Sequence, residues 1–162
     1  MFVFKLGPGA GLRLTSGRLL FAIHSSFQHA IVICSDDGGA HWNTSAMPTA
    51  DGVSVPASEC QMAPARNGSV LLNCRAWPEQ DPAKPGRLIS VSNDGGLSFA
   101  PPWLDGQLWG ANAADGFAKS RLDPGGLYFS GPRNNNTQCP WCRTHMSVLA
   151  SESDGAGKKS EN

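Results

Sequence analysis

The sequence lacks any excess of charge, because 13 Lys and Arg residues balance 13 Asp and Glu residues. A neutral chain has no global field that would attract nucleic acid or an anionic membrane surface. The sequence also lacks the run of about 20 apolar residues that a membrane-spanning helix requires. Its histidines, His24, His29, His41 and His145, show no metalloprotease-type spacing. We therefore expect no nucleic-acid partner, no membrane span and no metal site.

The first residues, MFVFKLG, lack the apolar core and the cleavage site of a signal peptide. They indicate a strand that starts abruptly, as in part of a longer domain. Asn43, Asn67 and Asn135 each begin an acceptor triplet for N-glycosylation, which slightly favours a secretory, lysosomal-type or extracellular location. Such triplets are common by chance, so the compartment stays open.

The five cysteines, an odd number, do not form a disulfide framework that can be deduced from sequence. Cys139 and Cys142 have C-x-x-C spacing, and His145 follows closely. No second C-x-x-C and no βαβ pattern accompany them, so neither a zinc site nor a redox dithiol is favoured. A loop disulfide or two free thiols remain open for this pair.

Glycine and proline are abundant, at 19 and 12 residues, and helical periodicity is scarce. Short apolar runs bounded by Gly, Pro, Asn or Asp recur along the chain and predict β-strands. These runs are RLLFAIH (18–24), HAIVICS (29–35), SVLLNCR (69–75), RLISVS (87–92), GLYFSG (126–131) and HMSVLAS (145–151). The segment 103–118 has no clear pattern. The chain is predicted to be all-β.

Two stretches, SDDGGAHW (35–42) and SNDGGLSF (92–99), follow one template of Ser, Asp, Gly and an aromatic residue. In each, a strand runs into a turn where Asp bonds nearby N–H groups and Gly accepts positive φ. The aromatic residue is expected to pack under the hairpin. The template residues are Ser35, Asp37, Gly39 and Trp42 in the first copy and Ser92, Asp94, Gly96 and Phe99 in the second.

The two copies begin 57 residues apart, at Ser35 and Ser92. Self-similarity at such an interval, with about four short strands per period, is typical of propeller blades. We expect residues 1–157 to form a partial propeller of four-stranded antiparallel blades, and residues 158–162 to form a polar tail. Too few blades fit in this length to close a ring.

The two stretches resemble the Asp-box of sialidases (exo-α-neuraminidases), whose repeats are also called BNR repeats. Three further segments resemble that family in the same order, over roughly residues 7–155: GPGAGLRLTSGRLLFAIH, ASECQMAPARNGSVLLNCR, and LYFSGPRNNN followed by CRTHMSVLASESDG. The resemblance implies part of a six-bladed propeller. It also implies retaining hydrolysis of terminal α-linked sialic acid from glycoproteins, glycolipids or oligosaccharides, without a cofactor.

Sialic acid carries a carboxylate on its anomeric carbon, and a guanidinium group binds a carboxylate bidentately. The resemblance implies that Arg75 and Arg143 are the second and third carboxylate-binding arginines of the family. Arg133 is the alternative to Arg143. It also implies that Glu59 assists a nucleophilic Tyr. By position, that Tyr, the acid/base Asp and the first arginine have no counterpart in this chain.

Several residues of catalytic type have a structural interpretation that is preferred. Tyr128, the single tyrosine, lies inside a predicted strand and is interpreted as a packing residue. Asp36, Asp37 and Asp94 are interpreted as turn residues far from the site. The alternative to an enzyme is a non-catalytic Asp-box propeller that acts as a glycan-binding or interaction module. If the enzyme interpretation is correct, the Arg75 and Arg143 guanidinium groups should lie within roughly 10 Å, beside Glu59.

Overall fold

The computed structural model describes residues 4–7, 9–25, 29–45, 49–50, 53–54, 57–76, 87–108, 113–121, 126–132 and 144–151. Within these ranges the chain forms strands, turns and one short 3₁₀ helix, Gly106–Leu108. In the unclear segment 103–118, the described residues form a strand, this 3₁₀ turn and the start of another strand.

The first sheet is built around two apolar strands, β3 and β4, which pair antiparallel from Leu19↔Ser35 to His24↔Ala30. β1 pairs with β3 on one side, β5 pairs with β4 on the other, and β2 forms a short hairpin with β3. The five strands are β1 (Phe4–Leu6), β2 (Leu12–Arg13), β3 (Leu19–Ser25), β4 (Ala30–Ser35) and β5 (Asn43–Ser45).

The second sheet is a four-stranded antiparallel meander in the order β11-β10-β9-β8. The hairpin of β8 and β9, at one edge of the sheet, turns at Asn67 and Gly68, where Asn67 Oδ1 accepts the Ser69 N–H at 3.0 Å and Gly68 has φ 86°. Glycine is favoured at this position because it adopts positive φ without steric cost. The strands are β8 (Ala57–Pro64), β9 (Val70–Ala76), β10 (Arg87–Ser92) and β11 (Trp103–Asp105).

The third sheet has three described strands in the order β12-β13-β14, all antiparallel. They are β12 (Gly116–Lys119), β13 (Leu127–Pro132) and β14 (Met146–Ala150). A two-stranded ribbon, β6 (Thr49–Ala50) and β7 (Val53–Ser54), lies in the chain between the first and second sheets.

The second sheet is the middle layer, because it buries an apolar face on each side. Residues such as Leu72, Cys74 and Leu88 pack against Leu20 and Val32 of the first sheet. On the other face, Ala63, Ala65 and Leu71 pack with Leu127 of β13. Alternate residues of a strand point to opposite faces, so Leu71, Asn73 and Arg75 share the face turned toward the third sheet.

Close backbone approach explains the glycine at position 9, near the start of the chain. A Cβ on Gly9 would lie 2.5 Å from the Cys60 carbonyl oxygen and 2.9 Å from Gln61 Cγ, so only glycine fits there. Four-stranded antiparallel sheets packed face to face in chain order form a β-propeller. The sheets formed by the described residues do not close into a ring, and the chain is a partial β-propeller, which confirms the predicted fold class.

Candidate functional site

Glu59 and Arg75 form an ion pair near the open end of the β8–β9 hairpin of the second sheet. Arg75 Nη1 donates to Glu59 Oε2 at 3.1 Å. The Arg75 side chain is 15% exposed and that of Glu59 is 27% exposed. The pair is therefore partly screened from water and still reachable by a ligand. The structure brings together these two of the three residues expected at the site.

A β-bulge positions Glu59. Ser58 pairs with Arg75 and Gln61 pairs with Asn73, so two residues of β8, Glu59 and Cys60, stand opposite Cys74. Glu59 has φ 47°, in the left-handed region that a residue with a side chain rarely adopts. Bulges of this kind re-aim a side chain and are common next to functional sites.

Arg87 lies beside Arg75 as its partner across the β9–β10 ladder. Its side chain is only 3% exposed and forms an ion pair with Asp115, with Nη1 and Oδ2 3.2 Å apart. Nε donates to Asn73 Oδ1 at 2.9 Å and Nη1 donates to the Ala113 carbonyl at 3.1 Å. Sequence reasoning missed both Arg87 and Asp115, although an arginine opening an otherwise apolar strand was a usable signal.

Asp115 is a fully buried carboxyl between the second and third sheets. Burial raises its pKa to about 6, the Arg87 charge acts in the opposite direction, and the Glu59 charge adds to the rise. A Cβ on Gly131 of β13 would clash with Asp115 Oδ1, so that glycine leaves the room the carboxyl needs. Among the described residues, Asp115 Oδ1, Arg87 Nη2 and Asn73 Nδ2 have no hydrogen-bond partner.

Two arginines and two carboxylates thus form one cluster with no net formal charge. Burial lowers the pKa of Arg87, while Asp115 and Glu59 raise it and Arg75 lowers it further. The Arg87 guanidinium is buried and forms an ion pair with Asp115, whereas the Arg75 guanidinium is more exposed. If this cluster binds an anion, Arg75 is the residue that can reach it.

The other predicted arginines, Arg143 and Arg133, lie outside the described residues, as do Cys139 and Cys142. The start of β14 is described, and Met146 pairs with Pro132 at the end of β13. Gly131, which precedes Pro132 in β13, packs on Asp115, and Asp115 forms the ion pair with Arg87. The strand that follows Arg143 therefore begins at the same end of the molecule as Arg75. The distance between the two guanidinium groups stays a prediction.

The second Asp-box lies at the opposite end of the same sheet. Ser92 pairs with Val70, five residues from the Arg87↔Arg75 pair, which is about 17 Å along a strand. Ser92 Oγ donates to Asp94 Oδ1 and accepts the Gly96 N–H, both at 2.7 Å. Asp94 also accepts the Leu97 and Ser98 N–H groups and the Ser98 hydroxyl. These bonds, the Ser98 hydroxyl first, lower the pKa of Asp94 to about 2.

The first Asp-box repeats this bonding pattern at the end of β4. Ser35 Oγ donates to Asp37 Oδ1 at 2.8 Å and accepts the Gly39 N–H at 2.9 Å. Asp37 accepts the His41 N–H and lies 2.6 Å from the His41 ring, and these contacts lower its pKa to about 2. Both carboxylates are used in holding turns.

The two aromatic residues of the boxes differ. Phe99 is partly buried against the core between the first and second sheets, as expected. Trp42 is 40% exposed, donates its Nε1–H to the Gly39 carbonyl and meets Phe21 edge to face. Trp42 therefore lies against its hairpin without being buried beneath it.

Arg18 joins the two Asp-boxes, a contact that sequence reasoning did not anticipate. Its guanidinium binds both Asp36 oxygens, at 2.6 and 3.0 Å, and donates to the carbonyls of Asp94 and Gly95 at 3.4 and 3.2 Å. The first and second sheets are thereby linked at the end away from Arg75.

Tyr128 lies on the face of β13 opposite Leu127 and Phe129, which are buried on the side of the second sheet. Its side chain lies within β13, as predicted, and is 38% exposed. The same alternation points Tyr128 away from Glu59 and Arg75.

Across the described residues, no group of three or more His, Cys, Asp or Glu side chains is placed to hold a metal ion. In the same residues, no helix has the length and apolar character needed to cross a membrane.

Comparison with known proteins agrees with this architecture. The family model for the BNR repeat-like domain matches residues 1–159. The chain belongs to the BNR-repeat family of sialidases. Sialidase-3 of Rattus norvegicus is 32% identical over 122 residues, which is 65% of this chain and 27% of that protein. The chain thus spans about a quarter of the length of this relative.

Solved structures of sialidases share the fold at low sequence identity. The Hadza microbial sialidase superposes with a TM-score of 0.72 at 22% identity, over 94% of this chain and 29% of that one. The leech intramolecular trans-sialidase, complexed with 2,7-anhydro-Neu5Ac, gives 0.70 at 19% identity, over 91% of this chain and 21% of that one. A mutant Trypanosoma rangeli sialidase gives 0.69 at 18% identity, over 93% and 24%.

Proposed function

We propose that this chain supplies part of the sialic-acid site of an exo-α-sialidase, and that Arg75 binds the carboxylate of the sugar. The observation that carries the proposal is the half-buried ion pair of Arg75 with Glu59. A guanidinium held on a rigid strand and partly shielded from water binds a carboxylate more strongly than an exposed one does. Family membership makes sialic acid the carboxylate to expect.

Arg143 is the second arginine of the proposed site. It precedes β14 by three residues, and β14 begins beside the end of β13 that packs on Asp115. Arg133 directly follows β13 and is the alternative. Two neighbouring guanidinium groups repel each other, and this repulsion is offset only when an anion lies between them, either the bound carboxylate or Glu59.

Glu59 has the second proposed role, that of a carboxylate that polarises a tyrosine nucleophile. A negatively charged nucleophile is repelled by the sugar's own carboxylate, so a tyrosine assisted by a neighbouring Glu suits this substrate. The reaction would be retaining hydrolysis of terminal α-linked sialic acid on glycoproteins, glycolipids or oligosaccharides. Because Tyr128 points away from Glu59, the tyrosine that Glu59 assists would come from elsewhere in the complete catalytic domain.

Isothermal titration calorimetry with sialic acid tests the proposal. We expect saturable binding to the wild-type chain, and binding at least about tenfold weaker for Arg75→Met, because a charge-assisted bidentate contact is lost. Arg13→Met is the matched control, since Arg13 is an exposed arginine on β2. The methyl ester of sialic acid, which lacks the negative charge, should bind weakly to the wild type and to Arg75→Met alike.

Equal affinity for sialic acid and its methyl ester would contradict recognition through the carboxylate. Equal affinity of the wild type and Arg75→Met would contradict the assignment of Arg75.

A further inference from the structure

Arg75 and Arg87 carry neighbouring guanidinium groups, and each has a carboxylate partner of its own. The two residues stand opposite each other across the β9–β10 ladder, where Cα atoms lie about 5 Å apart. Arg75 pairs with Glu59 at 3.1 Å, and Arg87 pairs with Asp115 at 3.2 Å. The formal charges of this cluster therefore cancel only while both carboxylates are ionised.

Asp115 is the member of the cluster whose ionised form has the least support. Its side chain is fully buried. In the part of the chain that the structure describes, neither of its carboxyl oxygens accepts a hydrogen bond. A buried carboxylate without hydrogen-bond donors is stabilised only by the nearby cation, so its neutral form is close in energy. Glu59 is 27% exposed and keeps contact with water. Asp115 is therefore the group that can change the net charge of the cluster.

The charged groups on the described elements around Asp115 are Glu59 of β8, Arg75 of β9, Arg87 of β10, Asp105 of β11 and Lys119 of β12. β13 adds none on this side, because Gly131 is the residue in contact and Tyr128 lies on the opposite face. Asp105 stands across the β10–β11 ladder from Arg87, is only partly buried, and accepts the Gln107 N–H at 2.9 Å. It is a matched control for Asp115, since both carboxylates neighbour the same arginine.

We propose that Asp115 sets the affinity of Arg75 for an anion, so that the site binds anions weakly while Asp115 is ionised and more tightly when Asp115 is neutral. That the anion is sialic acid rests on the proposed function, whereas the coupling between Asp115 and Arg75 does not. Protonation of Asp115 leaves two guanidinium groups with one carboxylate, and this added positive charge attracts an anion at Arg75. By linkage, the bound anion favours the neutral form of Asp115 to the same extent.

The coupling predicts that binding strengthens as the pH falls. The pKa of Asp115 in the free chain is about 6, and a bound anion raises it. The affinity of the wild type for sialic acid should rise about threefold or more between about pH 7.5 and about pH 5.5. The carboxylate of the sugar stays ionised over this range and does not contribute. Binding near pH 6 should take up a fraction of a proton, which titration calorimetry in buffers of different ionisation enthalpy measures.

Charge variants separate this effect from a structural role of Asp115. At about pH 7.5, Asp115→Asn should bind sialic acid about threefold or more tightly than the wild type and should show no proton uptake near pH 6. Arg87→Met/Asp115→Asn removes one charge of each sign, so its affinity should return toward that of the wild type. Asp105→Asn should stay within about twofold of the wild type and keep the proton uptake, because Asp105 is more exposed to water and lies beyond Arg87.

A residue that only supports the fold would bind more weakly in both Asp115 variants. Equal or weaker binding by Asp115→Asn would therefore overturn the proposal, as would an equal gain in Asp105→Asn. If Asp115→Asn does not fold, the wild type decides, since the proposal requires proton uptake near pH 6 and is overturned without it.

Formate, a minimal carboxylate, separates this inference from the proposed function. Its binding is followed through the Arg75 Nε–H signal of the ¹⁵N-labelled chain. Formate that binds more tightly to Asp115→Asn, in a chain that does not bind sialic acid, would refute the proposed function and leave the coupling standing. Sialic acid that binds the wild type and Asp115→Asn equally would do the reverse. If neither anion binds, Arg75 is not an anion site and both proposals fail.

Discussion

At the scale of one residue, Arg87 shows how a buried ion pair next to the candidate site supports it. The guanidinium is almost fully buried, is paired with Asp115 and stands beside Arg75 across the ladder. A buried ion pair contributes little net stability when intact, but removing one partner leaves the other charge without compensation. Arg87 therefore holds the end of β9 that presents Arg75.

We expect Arg87→Met to lower the free energy of unfolding by about 3–5 kcal/mol at pH 7.5, because the Asp115 carboxylate is left buried without its cation. The loss should be smaller at pH 5, where Asp115 is protonated in the folded state. Urea unfolding at the two pH values measures it. Arg13→Met, at an exposed position on β2, should change stability by less than about 0.5 kcal/mol.

The pKa of Asp115 gives a second prediction at this scale. Its folded-state pKa, about 6, lies above the ordinary 3.8, so between these values the folded state holds a proton that the unfolded state has released. The contribution of Asp115 to stability should therefore fall as the pH rises from about 4 to about 6, and stay constant above. Asp37 and Asp94 act in the opposite sense and in a lower window, because their pKa values are lowered to about 2.

Urea unfolding at several pH values measures this contribution. The fall in the free energy of unfolding between pH 4 and 6 should be absent in Asp115→Asn and present in Asp105→Asn. Parallel curves for the wild type and Asp115→Asn would show that Asp115 is not the titrating group.

At the scale of the element, the Asp-box hairpin depends on one buried serine. Ser92 Oγ accepts the Gly96 N–H and donates to Asp94, and Ser92 is only 1% exposed. Gly96 has φ 86° and lies against Leu20 of the first sheet, so the turn also forms part of the packing between sheets.

Ser92→Ala should destabilise the chain by about 1–3 kcal/mol, since the Gly96 N–H is left buried without an acceptor. Ser98→Ala, at an exposed residue of the same turn, should have a smaller effect. Thermal unfolding of both variants measures the difference. A larger loss for Ser98→Ala would contradict the role given to Ser92.

Three strands around the site were predictable from sequence because their apolar runs end at strong turn signals, whereas β8, which carries Glu59, was not predicted. SVLLNCR became Val70–Ala76, RLISVS became Arg87–Ser92, and GLYFSG became Leu127–Pro132. β12 was not predicted, because GFAK is short and lacks apolar alternation. The Cys60–Cys74 disulfide was not predicted, because an odd count of five cysteines leaves the pairing open and the register of β8 on β9 is known only from the structure.

The bulge at Glu59 and the Arg87–Asp115 pair could not be derived in the same way. A bulge depends on how β8 meets both neighbouring sheets, and the local sequence ECQ does not encode its position. Arg87 begins β10 of the second sheet, and Asp115, 28 residues later in the chain, directly precedes β12 of the third sheet, so the two meet only through tertiary packing.

At the scale of the whole molecule, the proposed catalysis would require groups that converge from several sheets. The described sheets bring Glu59 and Arg75 together and point Tyr128 away. We expect the chain by itself to give no turnover of a fluorogenic sialoside above background, since general acid–base help alone is worth roughly 10²–10⁴ in rate. Turnover that Tyr128→Phe abolishes would show that the nucleophile has been misassigned.

The central claim is that Arg75, held beside Glu59, receives the carboxylate of sialic acid. The most direct measurement is the side-chain Nε–H spectrum of the ¹⁵N-labelled chain during titration with sialic acid, with the Arg75 signal assigned from Arg75→Lys. The account predicts a saturable shift of the Arg75 signal, no shift of the Arg13 signal, and no shift of either with the methyl ester. An Arg75 signal that stays fixed while sialic acid binds would contradict it.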